Sequence, residues 1–211
     1  MDTLAYIIKK YNLSMSRSYP IEIPNIGRDD LARLFAELDF KAGAEIGVLR
    51  GDYTRILCRS NPQAIIYAID PWQTYPEYKD FTDQDQMDRN YERAMQHARH
   101  YRNCQIIKGF SQEIAKTFDK TLDFIYIDAN HELPFVIHDI IDWSRLVRQG
   151  GIISGHDYYK PGSAGKPGHV IEAVHAYTEA YYIQPWFVLG RKQKIPGEIR
   201  DWSRSWVWVK S

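Results

Sequence analysis

Apolar and polar positions change period once along this chain, and the change divides it. Before residue 40 the apolar positions keep helical spacing. Residues 1–27 read as a short helix and then an irregular segment around Tyr19-Pro20 and Pro24-Asn25. Gly27-Arg28-Asp29-Asp30 then caps a helix with Leu31, Leu34, Phe35 and Leu38 on one side. From Ala44 onward short apolar runs alternate with amphipathic stretches. Strands are expected at 44–48, 64–69, 105–108, 122–127 and 152–154. Between them helices are expected at 51–59 with Tyr53, Ile56 and Leu57 inward, at 83–100, at 112–117, and at 134–147 with Val136, Ile140, Trp143 and Val147 on one side. Gly150-Gly151 reads as the end of that last helix.

Strands alternating with helices over short connections imply a parallel sheet covered on both faces, a doubly wound α/β fold. The end of the chain departs from this. After a helix at 170–181 come two strand-like runs, 186–189 and 206–209, with no helical pattern between them. They read as an antiparallel hairpin on the sheet edge. Residues 1–40 then form a helical cap and 41–211 the main domain.

Composition narrows the function classes. A chain of 211 residues can bury one sizeable core. Lys plus Arg (27) balances Asp plus Glu (27), so no bulk charge steers the protein to nucleic acid or an anionic membrane. Cys58 and Cys104 have neither metal-ligand nor CxxC spacing and read as free thiols in a reducing compartment. The apolar run Leu4–Ile8 is too short for a signal peptide or a membrane span, which makes cytoplasmic the default expectation.

Candidate chemistry sits at the ends of the expected strands. Glu45-Ile46-Gly47-Val48-Leu49-Arg50-Gly51 places an acid and two glycines where a strand turns into a helix, and Asp70 ends the next strand. Glycine lets backbone and ligand approach closely, the helix start offers free N–H groups, and a strand-end carboxylate can accept ribose hydroxyls. Leu49 occupies the middle glycine of a dinucleotide fingerprint, which disfavours a bound pyrophosphate. Asp128 and Asp157 end two further strands, with His131 and His156 beside them. Carboxylate and imidazole together can hold a divalent cation, and histidine can serve as a base. Glu132, His138 and Asp139 read as a solvated helix face, and His169 and His175 as residues without a role.

The turn at 45–51, Asp70, Lys108-Gly109-Phe110-Ser111, Asp128-x-x-His131 and Gly150-Gly151-x-x-x-x-His156-Asp157-Tyr158 together resemble the class I S-adenosylmethionine-dependent methyltransferases. More narrowly they resemble the metal-dependent sugar O-methyltransferases of macrolide biosynthesis. The resemblance implies a Rossmann-like, mostly parallel seven-stranded sheet with a C-terminal antiparallel strand pair. It implies S-adenosyl-L-methionine along Glu45, Gly47 and Gly51, with its ribose at Asp70. Ser111 would lie at the adenine edge or else cap a helix, and Trp72 would lie beside the adenine or else close the core. It also implies Asp128 at both cofactor and metal, His131 as the base, and Asp157 as a second ligand. Here His156 stands where that group has Glu, and Tyr158 where catechol-type enzymes have Asn, so the cation would be Mg²⁺ or a softer metal, or none.

The function implied is O-methylation of a hydroxyl on a small molecule, a sugar or another natural product; a homo-oligomer is compatible with it. A nicotinamide-dependent oxidoreductase is one rival, and a cofactor-binding module without catalysis is another. The stretches 72–88 and 159–168 flank the site as lid candidates.

Overall fold

The computed structural model describes residues 2–15, 18–78, 83–160 and 168–211. Eight strands form one sheet: β1 (Ile21–Ile23), β2 (Ala42–Ile46), β3 (Ile65–Asp70), β4 (Cys104–Lys108), β5 (Leu122–Ile127), β6 (Val147–Gly155), β7 (Trp186–Leu189) and β8 (Trp206–Val209). Their order is β1-β7-β8-β6-β5-β2-β3-β4. Every pairing is parallel except those of β8, which runs antiparallel to both β6 and β7. The fold is therefore the doubly wound α/β type with an antiparallel terminal pair, and it has eight strands rather than seven.

Strict side-chain alternation divides the core into two layers. On one face Ala44, Ile46, Ile125, Ile127, Ile153, Val188, Trp206 and Trp208 meet α6 (Leu133–Ser144) and α7 (Val170–Ala180) through Val136, Ile140, Trp143 and Val174. On the other, Ile66, Phe124, Tyr126, Ile152, Phe187 and Val207 meet α1 (Thr3–Lys10), α2 (Arg28–Glu37) and α3 (Asp52–Ser60) through Ile7, Leu31, Leu34, Phe35 and Leu57. Strands buried on both faces are apolar throughout, which is why short unbroken apolar runs marked them in the sequence. Phe124 lies over Gly43, where any Cβ would overlap its ring, and stacks on Phe35 with centroids 3.8 Å apart.

Three expectations are corrected. The segment expected to be irregular before residue 27 contains β1, which pairs with β7 and takes the sheet edge. The final hairpin therefore does not lie on that edge, and β8 inserts between β7 and β6. Gly150-Gly151 do not end a helix. The helix stops at Ser144, and both glycines lie inside β6, whose pairing with β5 shifts register between Leu122 and Phe124. Gly150 has φ +73°, and a Cβ on Gly151 would press within 2.5 Å of the carbonyl oxygen of Asp123. Glycine here makes a bulge possible rather than a stop.

The strand order locates the site. From β2 the chain builds outward through β3 to β4, then crosses to β5 and β6 on the other side of β2. The loops after β2 and β5 leave the sheet in opposite directions, and ligands of open α/β sheets bind in the crevice at such a switch point.

Candidate active site

A cleft of about 540 Å³ opens at that switch point. Its floor is the turn after β2. Gly47 has φ +88°, and a Cβ there would overlap the carbonyl oxygen of Asp128 and sit 2.7 Å from Cα of Ala129. Gly51 has φ +75° at the N-cap of α3, where a Cβ would come within 3.2 Å of Ala94. Both positions need glycine, one for close approach and both for the left-handed backbone.

Asp70 holds the turn from behind. Its Oδ2 accepts the N–H groups of Val48 and Leu49, each at 2.9 Å, and its Oδ1 accepts that of Trp72 at 2.7 Å. Burial pushes its pKa up, partly offset by those three donors. Oδ1, with a single donor among the described residues, keeps acceptor capacity, and Asp70 lines the cleft. Glu45 is buried on the cleft wall and accepts the hydroxyl of Thr54 from α3. Burial outweighs that bond and drives its pKa well above the ordinary carboxylate range.

Trp72 does not reach the cleft. It is wholly buried against Val48, Ala68 and Ala94 and donates Nε1–H to the carbonyl of Leu49 at 2.7 Å. Of the two readings for Trp72, the structure takes the core aromatic. Ser111 does line the cleft, as the first residue of α5 (Ser111–Thr117) rather than its cap, which is Phe110. Its Oγ donates to Asp139 and accepts Nε1–H of Trp143 at 2.9 Å. Asp139 is thus no part of a solvated face. It is 3 % exposed, and burial pushes its pKa up to about 7, with the Ser111 bond pulling the other way.

Across the cleft, the ends of β5 and β6 bring four titratable side chains together. Nε2 of His131 lies 2.7 Å from Oδ2 of Asp157 and 3.6 Å from Oδ1 of Asp128. Nδ1 of His156 lies 3.4 Å from Asp157 and 3.5 Å from Asp128. Burial alone would raise the pKa of Asp128, but the two imidazoles beside it hold it well below the usual carboxylate range. His156 is raised: burial works against its charged form, and the Asp128 and Asp157 carboxylates outweigh it. Asp128, His131 and Asp157 offer ligand atoms that all lie within 4.8 Å of one another, a donor set of carboxylate and imidazole that suits a divalent cation. His156 stands just outside that trio.

Several cleft residues carried no signal in the sequence. Arg28, at the start of α2, reaches within 3.7 Å of Asp128 and lies over the Tyr53 ring. Asn130, between Asp128 and His131, donates to the hydroxyl of Tyr75 at 3.2 Å and to the carbonyl of Glu77 at 3.4 Å. Tyr75 stacks on Tyr78 with centroids 5.3 Å apart, and both line the cleft. Tyr75 and Tyr78 fall within the first lid candidate and Tyr159 within the second. Residues 79–82 and 161–167 of those two stretches lie outside the described residues.

Residues 44–158 match a family model described as a methyltransferase domain. Among solved structures, the chain is similar to the O-methyltransferase TomG from Streptomyces achromogenes, involved in tomaymycin synthesis and solved in complex with SAM. The TM-score is 0.61 at 15% identity, over 100% of this chain and 91% of that one. The O-methyltransferase NovP gives 0.56 at 18% identity over 87% of this chain and 79% of that one. An rRNA methylase from Streptococcus thermophilus gives 0.58 at 12% identity over 87% and 93%. At such identities the likeness shows the fold alone, and one fold here serves different acceptors. No curated protein sequence matches.

Proposed function

The chain belongs to the methyltransferase-domain family and is an S-adenosylmethionine-dependent methyltransferase; from that premise we propose that it methylates a hydroxyl oxygen of a small molecule, with His131 as base and a divalent cation assisting. The observation that carries this reading is the cluster of His131 with Asp157 at 2.7 Å and Asp128 at 3.6 Å, of which Asp128 and His131 line the cleft that also contains the glycine turn.

The residues present fit the cofactor. The turn at Gly47 and Gly51 leaves a cradle that a Cβ at Gly47 would disrupt, and Leu49 stands where a pyrophosphate loop would need glycine. Glu45, Gly47 and Gly51 would take the methionine end, Oδ1 of Asp70 a ribose hydroxyl, and Ser111 the adenine edge. When bound, S-adenosylmethionine supplies an electrophilic methyl group on a sulfonium. The chain's own work is to bring a nucleophile to it. A hydroxyl held at the mouth of the cluster gives its proton to the His131 imidazole, and the imidazolium is stabilised by the Asp157 and Asp128 carboxylates. Asp128 and Asp157 would hold Mg²⁺ or a softer cation, with Nδ1 of His156, 3.5 and 3.4 Å from those carboxylates, as a further donor that leaves His131 free to act as base. Such a cation lowers the pKa of the hydroxyl and fixes its place. The balanced net charge supports a small acceptor rather than a polyanion.

Methyl transfer from labelled S-adenosylmethionine to a panel of hydroxylated sugars, phenols and polyketides tests the proposal. An O-methyl product is expected. His131→Ala should cost about 10²- to 10⁴-fold in turnover while S-adenosylhomocysteine affinity stays within about threefold. Methylation confined to RNA or protein would overturn the acceptor class. Full turnover in a chelator would remove the cation and leave the His131 base standing.

A further inference from the structure

Four strand ends lie in a row along the carboxyl edge of the sheet. In sheet order they carry Ser111 just after β4, Asp70 at the end of β3, the Gly47 turn after β2, and Asp128 with His131 after β5. A nucleoside laid along that row, with its ribose at Asp70 and its reactive end toward Asp128, puts its base at Ser111. What Ser111 presents there is set by two residues of α6. Trp143 Nε1–H is a donor only, and it occupies one lone pair of Oγ at 2.9 Å. The single hydroxyl hydrogen is directed at Asp139. One lone pair of Oγ remains, on a residue that lines the cleft.

We propose that Asp139 is a positioning residue that fixes the Ser111 hydroxyl as a hydrogen-bond acceptor toward the cleft, and that this pair recognises the 6-amino group of the cofactor's adenine. A hydroxyl without such a partner rotates and can donate as readily as accept. With its hydrogen committed to Asp139, Ser111 can only accept, and an exocyclic amine is the donor that adenine offers. The pairing also gives a hydrogen-bond partner to a carboxyl buried in the middle of α6. Burial of that kind is costly unless the group is used in hydrogen bonds. The inference rests on the cofactor reading above and adds the residue that orients its contact to the base.

The experiment is calorimetric binding at pH 8.5 of two probes, S-adenosylhomocysteine and its analogue lacking the 6-amino group. For the wild-type chain the amine is expected to improve affinity roughly five- to tenfold, the share of one net hydrogen bond. Ser111→Ala should bring the two probes within twofold of one another. Asp139→Leu should do the same, because Ser111 is then released to rotate. Asp139→Asn, whose carbonyl still accepts the hydroxyl, should keep the preference, a rescue that a purely space-filling role would not produce. Equal binding of both probes by the wild type overturns the inference, as does a preference that survives in Ser111→Ala or Asp139→Leu, or one lost in Asp139→Asn. Should Asp139→Leu fail to fold, the Ser111→Ala and Asp139→Asn arms still decide. Failure of the wild type to bind either probe overturns the cofactor reading itself, and is a different result.

Discussion

Gly47 lies directly beneath Asp128, so that any side chain on the first would overlap the backbone carbonyl of the second. The turn read as a cofactor cradle and the strand end read as chemistry are therefore one packed unit. Asp128 N–H also donates to the carbonyl of Ile46 at 2.7 Å, which fixes the spacing of the two loops. Gly47→Ala is expected to destabilise the chain by about 2–4 kcal/mol, through a strained φ and a forced shift of residues 128–129. Urea unfolding measures the first effect. Loss of S-adenosylhomocysteine binding by isothermal titration measures the second, and an alanine variant that binds normally would contradict the packing described.

Asp70 spends its carboxylate on three backbone donors before any ligand arrives. Asp70→Asn turns one oxygen into an amide that faces an N–H group. A cost of about 1–3 kcal/mol is expected, together with at least a tenfold loss of cofactor affinity. Thermal unfolding with and without S-adenosylhomocysteine separates the two effects.

Trp72 supports the same turn from the core, through Leu49. Trp72→Phe should lower stability by about 1–3 kcal/mol and leave S-adenosylhomocysteine affinity within about threefold. A Trp in ring contact with adenine would behave the other way, with affinity falling more than stability.

Asp139 predicts a pH dependence. In the folded chain its pKa is pushed up to about 7 from an ordinary 3.8, so the folded state keeps a proton that the unfolded state has already released. Unfolding then releases protons, and this group's contribution to stability falls as pH rises from about 4 to about 7 and is level above that. The gap corresponds to about 4 kcal/mol. Asp139→Asn carries no such proton. Its stability relative to wild type should therefore improve between pH 4 and pH 7 and level off above that, as read from unfolding midpoints in denaturant. A constant difference across that range would show that Asp139 titrates normally.

Much of the candidate site could be read from residue type and order alone. Glycine at 47 and 51 and acids at 70, 128 and 157 announce themselves because each sits at or just past the end of a short apolar run, and Glu45 because it interrupts one; runs of that kind depend only on neighbouring residues. The strands over 122–127, 186–189 and 206–209 were legible for the same reason. Arg28 and Asn130 were not. One reads as part of a helix start and the other as an ordinary loop amide until the strand order brings α2 and the 71–78 loop over Asp128.

The amino-acid sequence by itself determined most of the strands and helices, β1 and the start of β6 excepted, and which strand ends carry glycine or acid. Local periodicity and backbone sterics decide those properties. Tertiary structure alone decided that β1 takes the edge and that β8 enters between β7 and β6. It also decided that Trp72 faces the core and that Asp139 is sealed beneath Ser111. Burial and partnership belong to whatever packs across from a residue, and strand order sets that through contacts far apart in the chain.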